Sequence, residues 1–533
     1  MSTEDRPLSR RELRERAAAA NATVPPDTSE PPAAWAVPPA DTSAVPPPVV
    51  ERGARGRESS SRGSDDARRP RGRFLAAVLA VVGVLAVLAA GGAALSLAQG
   101  PRVSSVQVDP AAAVEVSGSR VVLTANQALA AIDPAQVSVT PETPFTVDAS
   151  GRMVGVRFTV PLDDATEYTI AIDGAESVGG GPAATLEASF TTPAAEILLL
   201  QRGADGEDTI FRSDLSGESA VPVYSAETID DFRATSDRIV VSVREDDVSH
   251  LLVLDRDGGD AREIPLPGEG DVTGLQVSAQ GRLAGFTYTD HGLSETEGRA
   301  SVLFTVALDD ADAEPVPLVV ADEEPSIASW RFVPDSTALL YVDFAGDLVI
   351  YDPQADDPSP TVLGQAMSID AVTRGTYTAF VERLDAAGGV QLDLTTGDET
   401  ALVAPADDLG QAGRVLPVPG GGTVREFVTF GADGVPTSQT VAFVDDEGAA
   451  TPLFEATGAD GLLQTCVSPS GRYIAALVAP DLTTNPYGYD ALQPLPATVR
   501  THIVEIATGE TVSTLDGFDI SWCDVGPWDG VSA

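Results

Sequence analysis

The sequence lacks lysine entirely and contains few residues of the kinds that perform common catalytic chemistry. Its 533 residues include only three histidines and two cysteines. The histidines, His250, His291 and His502, have no metal-ligand spacing, and the chain has no P-loop, dinucleotide fingerprint or HExxH motif. The absence of a Gly-x-Ser-x-Gly elbow excludes a serine peptidase in its usual form. We therefore predict no catalytic residue, no metal site and no cofactor.

Positive charge is scarce beyond residue 73. Residues 1–73 contain 13 Arg against 11 acids, whereas the remainder contains 20 Arg against 69 acids, a net charge of −49. So acidic a surface repels the phosphate backbone, which argues against a nucleic-acid partner. The preference for Arg, Ala, Gly, Pro and Asp over Lys is typical of a GC-rich genome, and we expect an actinobacterial source.

One long uncharged run predicts a membrane segment. Residues 74–98 contain no charge and would form roughly 37 Å of helix, enough to cross a hydrocarbon core of about 30 Å. Four arginines precede the run within six residues, and only Arg102 follows closely. The positive-inside rule then predicts a single-pass protein with a cytoplasmic N-terminus and residues 99–533 outside the cell membrane.

A cleaved signal peptide is the alternative, because "SLA" before Gln99 is an acceptable cleavage site. An uncleaved anchor is favoured, since the apolar run is long for a signal peptide and 73 residues precede it. No Cys follows the run closely, which excludes a lipoprotein anchor.

Residues 1–73 are predicted to be a disordered cytoplasmic tail. Its central part is rich in Pro, Ala, Ser and Asp and has too little apolar surface to offset ordering entropy. Ser9 and Glu12 in "SRRELRERAAAA" have capping-box spacing. This segment is either a helix that docks on a cytoplasmic partner or a fraying end of the tail.

Residues 103–193 consist of short alternating segments separated by turn residues, a pattern typical of a β-sandwich. They contain no Cys pair, so an antibody-type domain is excluded. The stretches "VVLTANQAL", "VRFTVPLDDATEYTIAIDG" and the terminal "ASFTTP" resemble bacterial Ig-like domains of the SbsA type. The resemblance implies a spacer that holds another domain away from the envelope.

From residue 195 onward the sequence repeats. A hairpin unit with an acidic tip occurs seven times, as in "LVLDRDGGD" and "QLDLTTGDE", and a strand–turn–strand unit such as "TCVSPSGRYIAALV" precedes six of the copies. The first hairpin lacks an innermost strand, whereas the C-terminal "FDISWCDVGPWDG" has a first-strand pattern with nothing after it.

The missing strand and the surplus strand match, which predicts a seven-bladed β-propeller over residues 195–528 that its C-terminal strand closes. The turn "SPSGR" resembles the Ser-Pro-Asp-Gly turn of TolB-like propellers, and the resemblance implies that it joins the first two strands of a blade. The predicted fold class is thus an all-β ectodomain, an Ig-like β-sandwich plus a seven-bladed β-propeller, preceded by one transmembrane helix and a disordered tail.

The two cysteines fall on strands that become neighbours only if the ring closes in this way. Cys466 lies in the innermost strand of the last blade, and Cys523 lies in the C-terminal strand. Because the predicted compartment permits disulfides, we expect a Cys466–Cys523 bond. The alternative is two buried free thiols.

Two connections between second and third strands are unusually long, residues 290–300 and 481–499, and both should emerge on one face of the propeller. They supply the candidate binding residues, which are His291, Glu295, Glu297, Tyr487, Tyr489 and Asp490. Tyrosines and prolines suit a peptide or sugar surface. A tolerated insertion is the alternative.

These observations predict a single-pass envelope protein that presents a spacer and a propeller for binding or scaffolding. Its partner would be an envelope protein, a peptide or a glycan. Two alternatives stay open, an extracytoplasmic hydrolase or lyase with its site in the propeller channel and a transmembrane sensor that signals through the N-terminal helix.

Overall fold

The structure is a computed structural model that describes residues 81–82, 100–203, 206–278, 282–294, 297–355, 358–384, 389–488 and 491–527. The predicted tail, and all of the predicted span except two residues, lie outside this set. No helix within it is long and apolar enough to cross a membrane. The described residues from Gly100 onward belong to one compact unit with almost no helix.

Residues 103–191 form two antiparallel sheets around one core, which we call the two-sheet module. Buried and exposed residues alternate along its strands, as in Arg120–Ala125, because one face of each sheet packs inward. The four-stranded sheet has the order β1-β2-β5-β4 and the three-stranded sheet the order β3-β6-β7. Their strands are β1 (Val103–Gln107), β2 (Arg120–Ala125), β3 (Val137–Thr140), β4 (Phe145–Ser150), β5 (Met153–Phe158), β6 (Glu167–Ala175) and β7 (Ala184–Thr191).

A short helix interrupts the module at a place where only strands were expected. Helix α1 (Pro110–Glu115) follows Asp109, whose side chain accepts a hydrogen bond from the Ala112 N–H at 3.1 Å. Asp at the N-cap and Pro at the first helical position are both favoured there, so this single turn is encoded locally.

Seven antiparallel sheets follow in sequence, which we call blades 1 to 7. Blade 1 has three strands and each later blade has four. Blade 1 comprises β8 (Glu196–Gln201), β9 (Asp208–Asp214) and β10 (Val221–Ala226). Blades 2 and 3 comprise β11 (Ile229–Ala234), β12 (Arg238–Glu245), β13 (Val248–Asp255) and β14 (Arg262–Ile264), then β15 (Gly270–Ser278), β16 (Leu283–Asp290), β17 (Val302–Ala307) and β18 (Val316–Pro317).

The remaining four blades have the same order. Blades 4 and 5 comprise β19 (Ile327–Phe332), β20 (Leu339–Asp343), β21 (Asp347–Tyr351) and β22 (Thr361–Gln365), then β23 (Ser368–Val372), β24 (Thr378–Glu382), β25 (Gly389–Asp393) and β26 (Glu399–Ala401). Blades 6 and 7 comprise β27 (Gln411–Pro417), β28 (Thr423–Phe430), β29 (Pro436–Val444) and β30 (Ala450–Thr457), then β31 (Gly461–Val467), β32 (Tyr473–Ala479), β33 (Arg500–Glu505) and β34 (Thr511–Asp516).

Second strands such as β32, "YIAALVA", are buried at every position because neighbouring blades cover both faces of the sheet. This packing explains why these strands are continuous apolar runs rather than alternating ones. The sheet order and this burial confirm the expected all-β, propeller-like architecture.

The first strands of blades 2 to 7 contact one another in succession. Each pairs with its second strand through a register shift, the mark of a β-bulge. A bulge leaves backbone groups without a partner in the sheet. A polar side chain of the preceding blade reaches two of these bulges: Arg233 donates from Nε to the Leu275 carbonyl at 3.0 Å, and Asp370 accepts from the Val415 N–H at 3.2 Å.

The C-terminal segment completes blade 1. Leu200 and Phe518 exchange two backbone hydrogen bonds of 2.9 Å, so residue 518 lies beside β8, where blade 1 lacks a first strand. The segment makes this one bridge rather than the regular strand that the sequence pattern predicts. The chain turns at Gly517 and Asp519, both with positive φ; beyond the bridge, the Ser521 N–H donates to the Leu198 carbonyl at 2.9 Å, and Asp519 pairs with Arg233. The predicted Cys466–Cys523 disulfide is confirmed and joins it to β31.

The turn "SPSGR" joins β31 to β32, as its resemblance to propeller turns implied. The Ser468 hydroxyl accepts from the Tyr473 N–H at 3.0 Å, and the Gly471 N–H donates to the Ser468 carbonyl at 2.9 Å. Gly471 has a φ of +81°, and a β-carbon there would lie 2.9 Å from Pro419 of blade 6. Both the turn conformation and the packing of adjacent blades therefore require glycine.

Candidate functional site

The two faces of the propeller have different neighbours. Turns between first and second strands share one face with the two-sheet module. On this module face, Arg472 donates to the Asp164 carbonyl at 3.0 Å, and the Ser117 hydroxyl donates to Asp335 in the first turn of blade 4. The connections between second and third strands, including both long ones, emerge on the opposite face, which we call the loop face.

A chain of charged and polar contacts around the buried Arg244, which we call the Arg244 charge chain, links the two long connections on the loop face. Arg244 donates to Asp230 at 3.0 Å and to Asp271 at 3.3 Å, and its side chain is only 10% exposed. His291 Nε2 lies 3.2 Å from the same Asp271 oxygen, and the Leu492 N–H donates to Asp230 at 2.8 Å. Residues from blades 2, 3 and 7 thus meet around one guanidinium group.

The longer connection has internal order of its own. Tyr487 forms a β-bridge with Pro496, and the Gly488 N–H donates to the Leu495 carbonyl at 3.0 Å. Tyr487 is 42% exposed, so its ring is available to a partner.

The structure describes only one of the other predicted binding residues. Glu297 is exposed, and its backbone closes a turn with Ser294. Glu295, Tyr489 and Asp490 lie outside the described residues. Their proposed roles stay predictions.

A cavity of about 740 Å³ lies on the module face, between the propeller and the two-sheet module. Phe145 and Val160 of the module line one side, and the turns of blades 5, 6 and 7 line the other. Trp522 and Asp524 of the closing segment complete the wall. This volume lies within the range of small-molecule sites, about 300–1,000 Å³.

Charged side chains from the first strands enter this cavity. Arg331, Asp370 and Arg414 come from blades 4, 5 and 6 and all line it. Burial raises the pKa of Asp370 to about 6, although Arg414, the Val415 N–H and Arg331 oppose the shift. A carboxyl group with such a pKa can take up or release a proton near neutral pH.

A second carboxyl group, Glu426, lies close to the same wall. Burial raises its pKa, against the opposing effects of the Thr465 hydroxyl and Arg414. Arg414 therefore stabilises two carboxylates on different blades. The described residues contain no group of three or more His, Cys, Asp or Glu that could hold a metal ion.

The sequence pattern did not single out Arg331, Asp370 or Arg414. A weak signal was present, because the first strand of each of blades 2 to 7 contains a large polar residue that is buried or half-buried. These residues are Arg233, Gln276, Arg331, Asp370, Arg414 and Gln464.

Comparison with known proteins gives no family. No family model matches the sequence, and no curated protein matches it. Among solved structures, a candidate 6-phosphogluconolactonase from Bacteroides fragilis is similar at 14% identity and a TM-score of 0.37, over 61% of this chain and 96% of that one.

Two further structures are similar to this chain. The β-propeller domain of Cps50 (Swd1) from Myceliophteria thermophila has 12% identity and a TM-score of 0.35, over 54% of this chain and 87% of that one. A Bacteroides thetaiotaomicron protein of unknown function has 11% identity and a TM-score of 0.33, over 70% and 94%. All these TM-scores lie below 0.5. The pairing of the strands is therefore the evidence for the propeller-like fold.

Proposed function

We propose that this chain is a single-pass envelope protein that uses the loop face of its propeller to bind a partner outside the cell membrane. The module would be an Ig-like spacer, and the uncharged run at residues 74–98 would anchor it. One observation above all supports the proposal: both long connections are tied to the Arg244 charge chain, which holds an exposed Tyr487 loop on a rigid base. Rigidly held loops bind with less loss of entropy.

The position of the module supports this choice of face. Contacts such as Arg472 with Asp164 occupy the module face, and the module lies next to the proposed anchor in sequence. The loop face would then point away from the membrane, where an envelope protein, a peptide or a glycan could reach it.

Site-specific photocrosslinking in producing cells tests this function. A photoreactive residue at Tyr487 or Leu293, both exposed on the loop face, should give a discrete adduct. The matched control is Val512, which is 50% exposed on an outer strand. Adducts at Val512 as strong as those at Tyr487, or none at either position, contradict the proposal.

The proposed topology has a separate test. A reporter that is active only outside the membrane should work when fused after residue 533 and fail when fused before residue 1, because the arginines before the run favour a cytoplasmic N-terminus. The reverse pattern contradicts it. A shortened mature chain that begins near residue 99 would identify a cleaved signal peptide instead.

A hydrolase or lyase is the second candidate, favoured by the pKa of about 6 of Asp370 in the cavity wall. General acid–base catalysis requires such a group. Turnover of a glycoside or peptide substrate that Asp370→Asn abolishes would support this candidate. Turnover that this variant leaves unchanged would argue against it.

A further inference from the structure

The cavity under the two-sheet module combines apolar walls with a cation that has no direct partner in the described part of the chain. Most of the wall is apolar, with Phe145, Val160, Phe380, Leu416 and Trp522 among its side chains. A small ligand could therefore bury an apolar body here, at about 25 cal/mol for each Å² of surface removed from water.

The other charged groups of the wall have partners or water. Arg374 is paired with Asp335 at 3.1 Å. Asp446 accepts from the Gly422 N–H at 3.1 Å, and Asp370 accepts from Val415. Asp524 is exposed.

Arg414 differs from these groups. It is half-buried, and among the described residues no acceptor lies within hydrogen-bonding distance of its guanidinium and no carboxylate lies within 4 Å. Asp370 and Glu426 influence it only at longer range. A guanidinium group presents five donors in a planar fork that matches a carboxylate. The donors left open to the cavity therefore suit an anionic acceptor.

We propose that this cavity binds a small amphipathic carboxylate, with its anionic group on the Arg414 guanidinium and its apolar body against Phe145 and Trp522. This site lies on the module face and is separate from the loop face, so it goes beyond the function proposed above. The module supplies part of the wall, which makes the site a product of both parts of the chain.

The test uses 3-phenylpropionate as the probe and its neutral isostere 3-phenylpropanamide as the comparison. Calorimetric titration of the full chain in lipid nanodiscs, with empty nanodiscs subtracted, should show one saturable site for the carboxylate. The amide should bind at least tenfold more weakly. A wild-type chain that binds neither compound saturably, or both equally, overturns the proposal and needs no variant.

Variants then locate the site. Arg414→Gln should remove the preference for the carboxylate over the amide, whereas Arg414→Lys should keep part of it because the charge remains. The matched control is Arg500→Gln, which changes an arginine that is 54% exposed on β33, away from the cavity. Equal preferences in Arg414→Gln and Arg500→Gln overturn the assignment of Arg414. Each variant is compared by thermal unfolding, and if Arg414→Gln does not fold, Arg414→Lys and the wild-type comparison decide.

Discussion

The pKa of Asp370, a half-buried carboxyl group, depends on the residues around it. Burial disfavours the charged form, and the nearby arginines only partly offset this effect, so the pKa of Asp370 is raised from 3.8 to about 6. Its stabilising contribution is fully present below pH 3.8, where the group is protonated in both states. The contribution is lost as the pH rises through 6.

Replacing Asp370 by Asn should therefore stabilise the protein at neutral pH. Asn can still accept the Val415 hydrogen bond but never ionises. We expect a free energy of unfolding higher by about 1–3 kcal/mol at pH 7.5 and unchanged at pH 3.5. Urea unfolding at both pH values measures it. Asp516→Asn, at a side chain that is 79% exposed, is the control and should show no such difference. A lower stability of Asp370→Asn at pH 7.5 would show that its charge is needed by the arginines.

Asp519 is the opposite case, because its charge stabilises the fold. Its side chain is fully buried and lies 2.8 Å from the Arg233 guanidinium. This ion pair joins the closing segment to blade 2. Removing one partner of a buried ion pair leaves the other charge less well compensated, and here Arg233 would keep Asp231, at 3.0 Å. Asp519→Asn should cost about 3 kcal/mol, and Asn tolerates the positive φ at this position. A loss below about 1 kcal/mol in urea unfolding would contradict this role.

At the scale of elements, the bulged first strands explain how the blades are joined. The bulge in each first strand leaves backbone groups unpaired, and a polar side chain of an adjacent blade can reach them, as Arg233 does at Leu275. This arrangement positions polar side chains along the propeller axis. The charged side chains that line the cavity are therefore a consequence of how the blades pack.

The closing segment is the element with the weakest backbone pairing, so the disulfide should matter there. Cys466 and Cys523 enclose a loop of 57 residues. The loop-entropy model gives a stabilisation of about 4 kcal/mol for a loop of this length. The Cys466→Ala/Cys523→Ala variant should lose stability of that order in urea unfolding without reductant. A reducing agent should destabilise the wild type to the same level and leave the variant unchanged. A wild type that is insensitive to reductant would contradict the prediction.

At the scale of the whole molecule, few polar contacts hold the module against the propeller. Arg472 contacts Asp164, Ser117 donates to Asp335, and Arg256 lies 3.6 Å from Glu115. Interfaces of this kind between parts of one chain permit relative motion when their contacts are removed.

The variant Arg472→Met/Asp335→Asn removes two of these three contacts and should therefore weaken the coupling of the two parts. Calorimetry should resolve a separate, earlier transition for the module, since each half-buried contact contributes about 1 kcal/mol. The control Arg282→Met/Asp309→Asn removes a pair whose side chains are 61% and 55% exposed and should leave the unfolding profile unchanged. A single transition in the first variant would mean that apolar packing alone couples the parts.

The sequence predicted the fold better than it predicted the sites. Repeated hairpins with Asp and Gly at their tips determine local turns, and the apolar second strands such as "YIAALVA" require cover on both faces, so the propeller-like fold follows from pattern. Even the pairing of Cys466 with Cys523 could be inferred, because only ring closure brings these segments together. The same logic wrongly gave the last segment a regular strand, since the pattern does not show that Gly517 and Asp519 turn the chain.

The sequence alone determined the seven repeats, the acidic character of the chain beyond residue 73 and the uncharged run at residues 74–98, because each is a property of neighbouring residues or of composition. Only the tertiary structure decided which charges meet. Asp370 and Arg414 lie 44 positions apart in sequence, and Arg244 joins residues from blades 2, 3 and 7. Such encounters depend on the rotation from one blade to the next and on the position of the module. A local pattern contains neither quantity, so the cavity and the position of Arg414 in its wall could be identified only from the tertiary structure.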